Sequence, residues 1–175
     1  MIRRSSTRAA LIGAALVLLC LPLVAQTADG WRPFTATWTL SGQRQQLPTE
    51  GDRPAAILHL MGPLVLTSGA GLGNGLLGEM IFYDDGGSLL SGRVLLTDEH
   101  GHHVFCTLKA EPIGEGRRAT ATITGGSGHF AGIQGTFTFS WQYVVSEGTD
   151  EISGRAVDLS GRTRSAPSRP ASEKP

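Results

Sequence analysis

Two alternating runs joined by a glycine-rich corner constrain this chain more than any other feature. The stretch Thr120–Val145 reads TATITGGSGHFAGIQGTFTFSWQYVV. In its second run Phe137, Phe139, Trp141 and Tyr143 share one parity, while Thr136, Thr138, Ser140 and Gln142 take the other. A period of two over this length predicts a strand, because successive side chains point to opposite faces of the pleat. In the first run Ala119, Ala121 and Ile123 alternate with Arg118, Thr120, Thr122 and Thr124. Between the runs, Gly125, Gly126, Gly128, Gly132 and Gly135 permit positive φ and close backbone approach.

The same grammar recurs along the chain. Phe34, Ala36, Trp38 and Leu40 alternate with Thr35, Thr37, Thr39 and Ser41, which predicts a half-buried strand. The polar stretch Gly42–Pro54 fits either a short strand or a loop. Ala56–Ser68 is apolar without a helical stripe and is interrupted by Gly62-Pro63, so it reads as two short strands or one bent strand. Further strands are expected over Glu79–Tyr83, Ser88–Asp98, His102–Glu111 and Glu151–Leu159, separated by turn residues. The glycine-rich run Gly69–Gly78 lacks the G-x-x-x-x-G-K-[ST] pattern and no helix follows it, so it reads as a loop or barrel rim and not as a phosphate cradle. About eight strands and no helix make an all-β domain, a barrel or sandwich. An antiparallel β-barrel is favoured, because closure removes the exposed edges that a sheet without disulfides would otherwise present.

The ends differ from the body. Arg3, Arg4 and Arg8 precede the uncharged apolar segment Ala9–Val24, and small residues follow at Ala25 and Ala28; this is the layout of a secretory signal peptide over residues 1–28. It predicts a secreted or periplasmic protein with no stable membrane span after processing. Lipidation of Cys20 is disfavoured by the bulky Leu19 before it. The barrel domain is then placed at 29–160, and the Pro/Ser/Arg-rich segment 161–175 reads as a disordered basic tail. Over Gln26–Ser160 there are 8 basic and 14 acidic side chains, and that acidic balance argues against nucleic acid as a partner. Within this domain Cys106 stands alone, so the core holds by burial and not by a disulfide.

The corner from Gly125 to Gly135 (GGSGHFAGIQG) resembles the GGTGxFxxAxG signature of the allene oxide cyclase and dirigent barrels. Ser127 stands in place of the threonine, and Ile133 falls near the place of the small residue. The motif covers this corner alone, and the strand order around it is compatible over Trp31–Leu159. The resemblance implies a calycin-like eight-stranded antiparallel barrel, often dimeric or trimeric, with an apolar cavity. It carries over no catalytic residues, since nothing outside the corner aligns with that machinery.

Candidate chemistry is sparse. His100, His102 and His103, with Cys106, form the run HGHHVFC. His102 and Cys106 lie about 13 Å apart along a strand, too far to share one ion at bond lengths of about 2 Å. A metal site there needs a ligand from elsewhere, such as His59 or His129, and structural or solvated histidines are the preferred reading. Cys106 shares a face with Val104 and Leu108 and reads as a buried, inert thiol. Glu79 shares a face with Ile81 and Tyr83; facing the interior it would be a general acid or base, and at a strand mouth it would be solvated. Trp38, Tyr83, Phe137, Phe139, Trp141 and Tyr143 are candidates to line a ligand cavity, with a filled core as the default. The expectation is therefore a binding or accessory barrel for a small hydrophobic molecule, with no cofactor and with a homo-oligomer left open. The alternatives are an isomerase or cyclase using Glu79, or a histidine-based metal-binding protein.

Overall fold

The computed structural model describes residues 30–73, 75–87, 89–113, 116–145 and 150–165. The segment read as a signal peptide, with Cys20, and the residues beyond 165 lie outside them. The described chain forms eight antiparallel strands: β1 (Arg32–Leu47), β2 (Ala55–Gly69), β3 (Gly75–Asp84), β4 (Leu90–Thr97), β5 (His103–Ile113), β6 (Gly116–Gly126), β7 (Gln134–Val145) and β8 (Glu151–Arg164). Each strand pairs with its neighbours in sequence, and β1 pairs with β8, so the sheet is a closed barrel. Closure leaves no free edge to recruit another chain.

Alternation decides which side chains point inward. On β1 the buried set is Phe34, Ala36, Trp38 and Leu40, with the threonines outside. On β7 it is Phe137 and Phe139, with Thr136 and Thr138 outside. Leu60, Leu64, Leu96, Val104 and Cys106 complete the middle. The rings pack edge to face: Trp38 on Phe139 at 5.7 Å and Phe34 on Phe137 at 6.2 Å between centroids. Gly78 makes room for the largest of them, since a Cβ there would lie 2.6 Å from the Trp38 indole. The middle of the barrel is therefore filled by side chains. Each large apolar group so buried contributes about 1.5–3 kcal/mol.

Three segments left open or misplaced by the sequence are settled here. The polar stretch after Ser41 continues β1 as far as Leu47, with Gln43 and Gln45 paired to His59 and Ile57. Gly62-Pro63 does not divide β2; it interrupts the ladder to β1, whose recorded pairs skip from Trp38↔Leu64 to Ser41↔Met61, and the Trp38 indole N–H donates to the Gly62 carbonyl instead. At the other terminus the sheet runs beyond Leu159 to Arg164, which corrects the tail boundary placed at 161. Gly161 and Thr163 keep the inward parity while Arg162 and Arg164 face outward against the Trp31 ring, so basic composition concealed a strand. Asp158, at φ 54°, occupies the bulge that lets β8 shift register against both β1 and β7.

The loops gather at two ends. The β4–β5 turn and the β6–β7 corner share one end. Asp84, at the close of β3, and Arg117, at the start of β6, meet at the other.

Candidate metal centre at the glycine corner

The corner folds as its glycines allow. After β6 the chain makes a short 3-10 turn over Gly128–Phe130, closed by Phe130 N–H to the Ser127 carbonyl and Ala131 N–H to the Gly128 carbonyl. Phe130 turns inward and is buried against the core. Ser127 clamps the corner to β5: its N–H donates to the His103 carbonyl at 2.8 Å, and its hydroxyl accepts the His103 N–H at 2.9 Å. Gly128 sits at φ 57°, and a Cβ at that position would fall on the His102 ring. A residue with any side chain would thus push away the very imidazole that the corner approaches.

The β4–β5 turn supplies the other half. Asp98, Glu99, His100 and Gly101 form a tight turn, with Gly101 N–H donating to the Asp98 carbonyl. One Asp98 oxygen, Oδ1, accepts the backbone N–H groups of His100 and His102 at 2.9 and 2.8 Å. That leaves Oδ2 directed outward from the turn. Burial alone would push the Asp98 carboxyl up, but those two N–H bonds and the facing His102 imidazole outweigh it, and its pKa lies below the ordinary 3.8. Asp98 is therefore a carboxylate at neutral pH.

Three donor atoms converge at this point. Asp98 Oδ2 lies 3.2 Å from His102 Nδ1 and 3.4 Å from His129 Nδ1, and the two nitrogens lie 2.8 Å apart. All three fall within 4.8 Å of one another. Ligands bound tetrahedrally at 2.0–2.1 Å sit about 3.4 Å apart, close to the spacing seen here. Imidazole with carboxylate suits zinc, copper or nickel.

The other sequence candidates separate. His100 reaches Glu99 at 3.6 Å, and His103 Nδ1 lies 3.1 Å from the Thr97 hydroxyl, so neither joins the three. His129 does, from a different turn of the chain. Asp98 is the member that the histidine run does not reveal, although an Asp three residues before a turn glycine is a recognisable signal for a carboxylate folded onto its own backbone. Cys106 points into the barrel and burial pushes its thiol up to about 12, which fits the inert reading. Glu79 faces outward, not into a cavity, and its Oε1 meets His59 Nε2 at 2.7 Å.

Among the six aromatic candidates, Trp38, Phe137 and Phe139 fill the core. Tyr83 lies outside on β3, opposite Ile57 of β2. Phe139, Trp141 and Tyr143 do line a recess, at the end of the barrel away from the histidines. No family model, no curated protein and no solved structure matches this chain, so the eight-stranded antiparallel closed barrel is what its architecture establishes.

Proposed function

We propose that this protein is an exported, non-enzymatic binding barrel whose ligand is a divalent transition-metal ion held by Asp98, His102 and His129. The observation that carries this is the convergence of one carboxylate oxygen and two imidazole nitrogens, drawn from two separate turns, at mutual distances of 2.8–3.4 Å. Backbone bonds fix Asp98 and the glycine corner fixes His129, so an ion meets a site whose shape is already set. Three protein ligands leave a fourth position for water or an exchangeable ligand. The reading of an apolar guest inside the barrel loses ground because the middle is packed, and the cyclase reading because Glu79 points to the surface.

The glycine corner and the eight-stranded closure together support grouping the chain with the allene oxide cyclase and dirigent barrels. The exposed outer residues Ile57, Met61, Val65, Leu77, Ile81 and Phe105 support self-association. Together they present on the order of 500 Å² of apolar side chain, at the upper range for monomers.

Native mass spectrometry of the processed protein with added zinc, copper or nickel tests the reading and reports the oligomeric state in the same spectra. One ion per chain is expected. Asp98→Asn and His129→Ala should each weaken binding by about a hundredfold or more, while His100→Ala and His103→Ala leave it intact. No bound ion, or binding indifferent to His129→Ala, would refute the site. A mature N-terminus at Gln26 or Asp29 is expected from export; an unprocessed Met1 in exporting cells counts against it.

A further inference from the structure

At the opposite end of the barrel the fold leaves an apolar recess of about 40 Å³. Met80, Phe82, Leu108 and Ala119 wall it, Phe139 lies against its floor, and Trp141 borders the opening. Such a volume encloses about three waters' worth of atoms. The Phe139 ring packs edge-on against Trp38 in the filled middle, so nothing long can pass deeper.

Two charged side chains stand in this otherwise apolar lining. Arg117 and Asp84 each have side chains only 15% exposed, and Arg117 Nη2 donates to Asp84 Oδ2 at 2.8 Å. The carboxylate is heavily engaged: Oδ1 accepts the Gly86 N–H at 2.9 Å, and Arg53 approaches Oδ2 at 3.7 Å. Two guanidinium groups thus share the Asp84 carboxylate. The second arm of the fork, Arg117 Nη1, is buried and has no hydrogen-bond partner among the described residues. Buried donors of this kind are normally satisfied.

We propose that this mouth binds a small monocarboxylate, its carboxylate on Arg117 and its short branched end in the recess. Shape, lining and the unpartnered Arg117 nitrogen agree on that class. A guanidinium fork matches a planar carboxylate. The recess accepts a few carbons and stops them at Phe139. Beyond Asp84, Arg117, Tyr143 and the Trp141 indole N–H the lining has no polar side-chain group, so a sugar or nucleotide would bury most of its hydroxyls without partners. The site is independent of the histidine cluster and does not rest on metal binding.

Calorimetry on the processed protein with isovalerate, acetate, octanoate and isoamyl alcohol reads the proposal directly. Isovalerate should bind at least about tenfold more tightly than acetate, which lacks the branched end, and than isoamyl alcohol, which lacks the charge. Octanoate should gain nothing over isovalerate, because the recess is short. Arg117→Gln and Ala119→Leu should each weaken isovalerate by about tenfold or more, the second by filling the recess with Arg117 left in place. Saturating zinc should leave the affinity unchanged, so failure here and failure of the metal site are separately visible. Absence of binding up to about 10 mM, equal binding of acid and alcohol, or an Ala119→Leu variant that binds like the parent would overturn the proposal.

Discussion

At the corner end polar groups are held by backbone, and at the recess end they are held by one another. Asp98 is fixed by two N–H groups of its own turn, and His129 rides on a 3-10 turn clamped through Ser127 to the His103 backbone. Asp84 and Arg117 sit on strands that are not neighbours and meet by spanning the mouth. The first arrangement makes geometry local and rigid, as a site for a small ion with short bonds requires. The second depends on long side chains and charge balance, and it leaves one buried guanidinium nitrogen without a partner among the described residues.

The largest expected effect breaks the corner end. Gly128→Ala forces a side chain into a left-handed backbone conformation, which costs about 1–3 kcal/mol, and drives its Cβ onto the His102 ring. Denaturant melts should show that loss, and metal titration should show an even greater one, because His102 is displaced from Asp98. Isovalerate binding in the folded protein should not change. A variant with parental metal affinity would mean that corner rigidity does not set the site.

A smaller effect, with a sign that distinguishes the ends, comes from the charge pair. Asp84→Asn leaves two guanidinium groups, one largely buried, without a counter-charge. Arg117→Gln leaves Asp84 with the Gly86 N–H and Arg53. Breaking a fully buried pair costs about 3–5 kcal/mol; solvent contact at this mouth reduces that to about 2 kcal/mol for Asp84→Asn and about 1 kcal/mol for Arg117→Gln. Urea unfolding of both variants checks the order. If the arginine variant proves the weaker fold, the mouth is held by guanidinium packing and not by charge balance.

The sequence made one of these ends partly legible and the other not at all. Strand parity from Phe34 to Leu40 and from Phe137 to Phe139 identified inward residues, because one face was apolar and the other threonine-rich. Parity failed on Gly75–Asp84, where Leu76, Met80 and Phe82 point in while Leu77, Ile81 and Tyr83 point out. With both faces apolar, nothing local said which side Glu79 took. The histidine run and the glycine corner were visible as separate motifs, but their approach depends on pairing β5 with β6 and on the bulge between Phe105 and Cys106. The contact of Asp84 with Arg117 crosses the barrel, beyond the reach of any local pattern.

Between the two ends lies Cys106, and it separates local damage from global opening. Its side chain is 2% exposed and its thiol is pushed up to about 12 by burial. At pH 8 the folded thiol is almost wholly protonated and out of reach, so a thiol reagent should modify it only through unfolding. On a Cys20→Ser background, labelling of native protein should therefore be far slower than labelling in urea. The same shift makes stability fall as pH rises from 9 towards 12: the unfolded chain loses its thiol proton near the ordinary value of 9.0, while the folded chain keeps it until about 12. If Gly128→Ala and Asp84→Asn act only at their own ends, each should speed labelling by no more than its measured loss of stability allows. Faster labelling than that would show that disturbing one end opens the packed middle, and the two ends would then have to be treated as one cooperative unit.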